Sequence, residues 1–285
     1  MYKEPTVLAI ILNYKTYEQT LEIIDKLKLL KYSNLDILVV DNFSPNESAA
    51  VLEDSSAQGG FVFIKNTRNA GYAAGNNIGI RYAVEHEYKY SWILNNDLVF
   101  DDMEILRKLV NVVENDSRIG CVGPKIKDLD GNIVAPYIKR PTWWDLSIGI
   151  KNARNERAKH RFESGMVYRV YGCCMLLRNS MMEQVDYMDE RTFLYSEEDI
   201  LAERLRSIDA DTYYCADTNV VHLESMTVNA VQGEKSLKKV KTVLKSMNIY
   251  LRDYLHYGFF LRGICLLVRG AIILIRGVNM CKRLA

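Results

Sequence analysis

Tyr90-Ser-Trp-Ile-Leu-Asn-Asn-Asp-Leu-Val-Phe-Asp-Asp102 is the stretch that decides the fold. Tyr90 to Leu94 reads as a buried strand, because nothing in it alternates between apolar and polar. It stops at Asn95-Asn96-Asp97, and the acids Asp101 and Asp102 then open a helical run from Met103 to Glu114. A carboxylate at the carboxyl end of a buried strand sits where open α/β sheets bind ligands. Asp97 has the oxygen chemistry that a hard divalent cation prefers. An ordinary polar turn is the competing reading, since Asn and Asp are common turn residues.

Upstream, the same grammar repeats. Thr6 to Leu12 and Leu35 to Val40 are apolar runs suited to strands covered on both faces, and Phe61 to Ile64 is a third strand. Between them, apolar residues at 21, 24, 27 and 30 mark a helix over Thr16 to Leu30. Ser44-Pro-Asn-Glu47 reads as a cap opening a helix near Glu47 to Ser55. Asn69-Ala-Gly-Tyr-Ala-Ala-Gly-Asn-Asn77 is a Gly/Asn-rich loop feeding a helix over Ile78 to Glu85. Strand and helix in alternation predict a mostly parallel sheet with right-handed crossovers. All carboxyl ends of such a sheet share one edge, so Asn13-Tyr14, Asp41-Asn42 and Asn95-Asn96-Asp97 converge on one crevice. There Tyr14 can stack on a base, and Asp41 can accept from a pyrimidine ring N–H or cap a helix.

These residues carry a resemblance. Thr6 to Asp41, Asn69 to Asn77 and Trp92 to Asp97 resemble the nucleotide-sugar-binding half of family-two glycosyltransferases of the GT-A fold, closest to their rhamnosyltransferase-like branch. The resemblance covers roughly residues 5 to 225. It implies an α/β fold with a Rossmann-like, mostly parallel mixed sheet. It also implies a nucleotide-sugar site drawn from Asn13, Tyr14, Asp41, Asn42, Asn69, Gly71, Asn76, Asn95, Asn96 and Gly172. Asn95-Asn-Asp97 matches the family's Asp-x-Asp motif, with Asp97 the ligand of a divalent cation (Mg2+ or Mn2+). Asn95 stands where the first Asp is usual, which removes one charge from the cation site.

Further on, Gly120 to Ile126 reads as strand and turn, Asp128 to Asn132 as a hairpin-like turn, and Val167 to Leu177 as a strand. The segment from Pro136 to Met166 breaks the pattern and reads as an excursion over the active site. Its Trp143 and Trp144 can stack on a sugar or pack on the domain. Phe193 to Leu205 places Glu197, Glu198 and Asp199 in the first turn of a helix with Ser196 as its cap, where the helix dipole favours acids. Three adjacent acids repel, and crowding raises a carboxyl pKa. The family's Glu-Asp motif precedes an Arg by a fixed count. Counting back from Arg204, the resemblance puts Glu198 at the position of the base that deprotonates the acceptor hydroxyl, with Asp199 the runner-up. Asp211 to Cys215 is a strand, and His222 matches a family position near the metal and diphosphate. A lone His at a strand end is otherwise structural.

Composition bounds the partners. The 285 residues are 48% hydrophobic and 26% charged, an ordinary globular balance. The net charge of +1 conceals a basic tail, since residues 235–285 hold 11 Lys/Arg and one acid, Asp253. The six cysteines show no metal-binding spacing, Cys173-Cys174 reads as a pair of small strand residues, and no signal peptide is evident; a reducing cytoplasmic setting is expected. Lys235 to His256 reads as a basic helix. After it, Arg262, Arg269, Arg276 and Arg283 recur every seventh residue and so share one helix face, drifting only ~20° per heptad. No Arg-free run approaches the ~20 apolar residues that a span requires. The tail is therefore expected to lie in the interface of an anionic membrane, at the inner face of the cell membrane. Gly263, Gly270 and Gly277 keep a homodimer through the tail in play.

The division expected is a catalytic unit over 1–234, with a nucleotide-sugar half over 1–100 and an acceptor half over 101–234, followed by a helical tail over 235–285. The function expected is inverting transfer of a sugar from a UDP- or dTDP-linked donor to a glycan or lipid-linked acceptor. No nucleic-acid partner is expected. A nucleotidyltransferase and a nucleotide-sugar-binding scaffold subunit are the alternatives.

Overall fold

The computed structural model describes residues 4–134, 136–149, 162–223 and 237–281, with side chains to residue 275. Most of the charged run 151–163, Lys235 and Arg283 lie outside the described residues, as do the side chains of Arg276 and beyond.

The amino-terminal half folds as its apolar runs dictate. Strands β1 (Val7–Asn13), β2 (Leu35–Asp41), β3 (Val62–Lys65) and β4 (Tyr90–Leu94) alternate with helices α1 (Tyr17–Leu27), α2 (Ser48–Ala57) and α3 (Tyr72–Glu85). The pairs β1–β2, β2–β3 and β1–β4 are all parallel. Both faces of β1 are covered, which is why its sequence does not alternate. Val7, Ala9 and Ile11 join a core with α1 and with α4 (Ile105–Asn115), while Leu8 and Ile10 join a second core with α3. Helix α3 lies hard against β1, because a Cβ at Gly75 would sit 2.6 Å from Leu12 and one at Gly79 2.5 Å from Ile10.

The second half turns the sheet mixed. It adds β5 (Leu98–Val99), β6 (Ile119–Lys127), β7 (Ile133–Val134), β8 (Gly165–Val167), β9 (Cys174–Arg178) and β10 (Asp211–His222), giving the order β3-β2-β1-β4-β9-β6-β10-β5. Strand β9 enters antiparallel to both β4 and β6, and β10 runs parallel to β6. The strand expected over Val167 to Leu177 is broken: β8 pairs with β10 and β9 with β4, so Tyr168 to Cys173 crosses between them. The turn at 128–132 closes the β6–β7 hairpin, with Gly131 at φ 78°. The described cysteines 121, 173, 174, 215 and 265 are buried and free.

Short helices α5 (Trp143–Ser147) and α6 (Asn179–Gln184) are followed by α7 (Glu197–Arg206), α8 (Leu237–Ile249), a π-helical turn (Tyr250–Tyr254) and α9 (Phe259–Cys281). The tail helices are docked on the body. Ser246 donates to the Leu194 carbonyl at 2.9 Å, and the Tyr250 and Tyr168 hydroxyls meet at 2.7 Å. Tyr254 donates to Asp189 at 2.8 Å, and Arg191 pairs with Asp253 at 2.7 Å. Gly270 serves contact within the hairpin, where a Cβ would sit 3.2 Å from Leu244 of α8.

Candidate active site

Register brings the polar strand ends together. Asn13 pairs with Asp41 across β1–β2, and Leu94 lies opposite Ile11. Asn13 donates to the Asp41 Oδ2 at 2.7 Å and accepts from Thr20 at 2.9 Å. Asn96 in turn donates to the Thr20 hydroxyl at 2.9 Å and to the Thr16 hydroxyl at 2.8 Å. One hydrogen-bonded line therefore crosses three strand ends. Ser44 completes it, giving its hydroxyl to Asp41 at 2.6 Å and its backbone N–H at 2.9 Å. Ser44 is thus no helix cap: α2 starts at Ser48 behind Glu47, without a side-chain cap. Asp41 is fully buried with three donors upon it, so in this conformation it braces the edge and offers no free face to a base.

Beside this line, Asn42 donates to the Asn69 side chain at 3.2 Å and the Gly71 carbonyl at 3.3 Å. Tyr14 is half-buried under the Lys15 ammonium, 5.2 Å from its ring centroid. Lys15 and Phe43, which follow the ends of β1 and β2, sit at φ 72° and 64°. Strained backbone of this kind gathers where the surrounding fold over-determines a site.

Gly71 and Gly172 tie the loops together. At Gly71, φ is 106°, and a Cβ would fall 2.2 Å from the Phe193 carbonyl oxygen, which itself accepts from the Tyr72 N–H at 2.9 Å. The Gly/Asn loop is thereby fastened to the segment that leads into α7. Asn76 is buried, donates to the Tyr72 carbonyl at 3.0 Å, and leaves its Oδ1 without a partner. The Gly172 N–H donates to the Glu198 Oε1 at 3.0 Å, and a Cβ at 172 would lie 2.7 Å from that oxygen. Tyr72 donates to the Gly172 carbonyl at 2.6 Å, and the Asn95 N–H donates to the Cys173 carbonyl at 2.9 Å. Two consecutive residues thus hold both the strand end that carries Asp97 and the carboxylate of Glu198.

Asp97 and His222 form a second pair. Strand β5 places Leu98 opposite His222 on β10, and the Leu223 N–H donates to the Asp97 carbonyl at 3.0 Å. The Asp97 Oδ1 lies 3.2 Å from the His222 Nε2. Neither of these buried atoms has a hydrogen-bond partner. An oxygen and an imidazole nitrogen left bare side by side suit a shared divalent cation. Among the described residues no third His, Cys, Asp or Glu joins them, so a cation there would complete its shell from substrate and water.

On α7 the three acids take different roles. Ser196 stands at the cap position but at φ 66°, with no side-chain cap bond, and Tyr195 before it is also left-handed at φ 75°. Glu197 is buried with its Oε1 unpartnered; burial, and then the neighbouring Glu198 charge, push its carboxyl up. Burial and the Glu198 charge also push the Asp199 carboxyl up, against the pull of Arg169, so the crowding expected from the sequence falls on both neighbours of Glu198. Asp199 is committed to Arg169, whose Nε lies 2.6 Å away. Glu198 is half-buried and faces a cleft. Arg204 is structural, donating to the carbonyls of Val185, Asp186 and Tyr187 at 2.7–2.9 Å.

That cleft, of about 740 Å³, lies between α7 and the tail hairpin. Glu198, Asp199, Arg169, Tyr171 and Tyr195 line one side, and Lys239, Val243, Arg269 and Ile273 the other. The sequence reading missed the second wall, because a heptad of arginines carries no sign of what its face will meet. Neither Trp143 nor Trp144 is among the lining residues. Trp143 instead donates to the Leu261 carbonyl at 3.0 Å and packs with Met247, Leu251 and Cys265.

A profile of the Glycosyl transferase family 2 matches residues 8–185, from β1 to the end of α6. The chain belongs to glycosyl transferase family 2. Within this family it is 28% identical over 217 residues to a low-salt glycan biosynthesis hexosyltransferase, Agl10, of Haloferax volcanii, covering 75% of this chain and 66% of that one. It is 26% identical over 169 residues to an N-acetylglucosaminyl-diphospho-decaprenol L-rhamnosyltransferase of Mycobacterium tuberculosis, covering 55% of this chain and 53% of that one. The chain thus spans about half to two thirds of the length of these relatives. Its fold is that of GT-A glycosyltransferases. A mannosyltransferase of Pyrobaculum calidifontis, solved with GDP-Man and Mn2+, superposes with a TM-score of 0.61 at 13% identity, over 97% of this family-2 chain and 74% of the other.

Proposed function

We propose that the protein is an inverting glycosyltransferase that moves a sugar from a nucleoside diphosphate onto a hydroxyl of a lipid-linked glycan. The observation that carries this reading is the Gly172-Cys173 junction, which holds the Glu198 carboxylate and the strand end bearing Asp97 at one place. Glu198 takes the proton of the acceptor hydroxyl as that oxygen attacks the anomeric carbon, and the bond from carbon to the diphosphate oxygen breaks. A single displacement inverts the anomeric centre. Asp199 is the poorer base because Arg169 already occupies it. Asp97 and His222 would hold the divalent cation, Mg2+ or Mn2+, which when bound neutralises charge on the leaving diphosphate.

On the donor side Tyr14 stacks on the base, while Asn13, Asp41 and Asn96 keep the strand ends in place. Asn42, Asn69, Gly71, Asn76 and Asn95 shape the loops around the sugar nucleotide, and Gly172 leaves room for the Glu198 carboxylate. The tail supplies the membrane contact. Among the described residues no helix is long and apolar enough to cross a bilayer. Phe260, Ile264, Leu267 and Leu274 instead form an exposed stripe along α9 at helical spacing. This revises the arrangement read from the arginine heptad, since Arg269 turns away from that stripe and into the cleft.

A panel of UDP-, dTDP- and GDP-sugars assayed for nucleoside diphosphate release tests the reading. Release from one donor class, dependent on Mn2+ or Mg2+ and abolished by EDTA, is the expected result. Absence of release from every donor, with folded protein and both cations, would refute it.

A further inference from the structure

Helix α5, from the middle of the chain, lies alongside α9. Trp143 at its start donates to the Leu261 carbonyl at 3.0 Å, and just past its end a Cβ at Gly149 would be 3.0 Å from the Arg269 Nη1. Both contacts advance along the two segments together, so the helices run side by side in one direction. Leu146 and Ser147 turn inward, Leu146 onto Ile200, Ile249 and Tyr250. Trp144 and Ile148 stay exposed, one turn apart, with the Ile148 N–H donating to the Trp144 carbonyl at 3.0 Å. Trp144 is 58% exposed even though its ring meets that of Trp143 edge-on at 4.8 Å. Next to it, the outward residues of α9 are Phe260 at 83% exposure, Ile264, Leu267 at 76%, Ala271 and Leu274. The apolar surface is therefore wider than one helix face, because two separate elements build it. Contiguous exposed apolar surface of this kind marks an interaction site.

The charge around it is one-sided. Lys238, Lys241 and Lys245 are exposed and, at steps of three and four, share one face of α8. Leu244, next to Lys245, packs on Gly270, so these lysines ride on the helix that flanks the apolar one. Helices α8 and α9 contain no acid. Asp253, between them, is held by Arg191 and Arg252 at 2.7 and 2.6 Å, and Asp145 of α5 accepts from the Thr142 N–H at 2.8 Å and hydroxyl at 2.6 Å. A second copy seated on this face would cover the apolar residues but would offer the lysines no free acid from α5, α8 or α9. A bilayer with anionic headgroups supplies both. We infer that α5 and α9 form one composite surface that docks on an anionic lipid bilayer, with Trp144 at the level of the headgroups and the α8 lysines above them. This rests on the membrane contact proposed for the tail and extends it to a segment outside the tail.

The test adds the full chain to vesicles of phosphatidylcholine with phosphatidylglycerol, and to vesicles of phosphatidylcholine alone, and follows co-sedimentation and tryptophan emission. Trp92 is fully buried and serves as the internal reference. Binding is expected to be at least about tenfold tighter to the anionic vesicles and to weaken with added salt. It should shift emission to the blue and allow quenching by bromine-labelled acyl chains. Trp144→Phe should remove most of that quenching while binding stays within about twofold, and Trp144→Ser should weaken binding about tenfold. Replacing Lys238, Lys241 and Lys245 together by Gln should weaken binding to the anionic vesicles about 100-fold, at about fivefold per lysine, with Tm unchanged. Vesicle binding in which Trp144→Phe removes no quenching overturns the composite surface and leaves the tail contact alone. Equal binding to the two kinds of vesicle overturns the part given to the lysines. Binding to neither overturns both this surface and the tail contact, whereas nucleotide release from the donor panel decides the glycosyltransferase reading separately. A chain that doubles in mass without vesicles, shields Trp144 from iodide in doing so and ignores bilayers would give the surface to a second copy instead.

Discussion

The two sides of the crevice are built on opposite principles. Along the ends of β1, β2 and β4, the buried side chains Asn13, Thr20 and Asp41 and the half-buried Asn96 are spent on one another. Across from them, Asp97, His222 and Glu197 each present a buried atom with no partner. A satisfied polar network is rigid and contributes to stability, whereas an orphaned buried group costs free energy until a ligand or proton arrives. The difference teaches which side is frame and which awaits chemistry. Substitutions should therefore cost stability on the first side and activity on the second.

The largest effect expected is at Glu198. Glu198→Gln should lower the rate of transfer by about 10²–10⁴-fold, while nucleotide binding measured by calorimetry stays intact. Survival of transfer in both Glu198→Gln and Asp199→Asn would remove the base assignment. Next, Asp97→Asn should raise the Mn2+ concentration for half-activation by at least about tenfold and abolish any rise in Tm on adding Mn2+. An unchanged metal response would place the cation elsewhere. On the frame side, Asn13→Ala takes a donor from a buried carboxylate and should cost about 1–3 kcal/mol in denaturant unfolding. A loss confined to turnover, with stability untouched, would erase the distinction drawn between the two sides.

The smallest effect concerns pH. The Glu197 carboxyl is pushed up from 4.5 to about 8 in the folded chain. Between those values the native state keeps a proton that the unfolded state has lost. Its contribution to stability is full below about 4.5 and is lost as pH rises through about 8. Glu197→Gln should flatten that decline and raise stability at neutral pH. A steeper decline in the variant would mean that Glu197 is ionised when folded.

The parallel half of the sheet was legible because strands covered on both faces have no alternation to hide, and their polar ends stand out as Asn13, Asp41 and Asn95 to Asp97. Position along the chain then sufficed to bring those ends together. The state of Asp41 was not legible, since its burial depends on Ser44 folding back over it. The break between β8 and β9 was hidden for a similar reason: Val167 to Leu177 is apolar but for Arg169 and Gly172, yet its partners change from β10 to β4 part-way. His222 became readable only through resemblance, because its placement beside Asp97 depends on a pairing with Leu98 more than a hundred residues away. The tail's docking draws on scattered long-range contacts, among them those of Ser246, Tyr250, Asp253 and Tyr254, for which periodicity has no signature.

The glycine at position 71 has a mechanical consequence. With no side chain there, the loop ahead of α3 rests its backbone directly on that of Phe193, four residues before the acids begin. Whatever seats itself in the first loop presses on the second without a flexible side chain to absorb the push. The loop ahead of α3 and the turn that opens α7 are thus coupled through backbone alone, and neither can shift without the other.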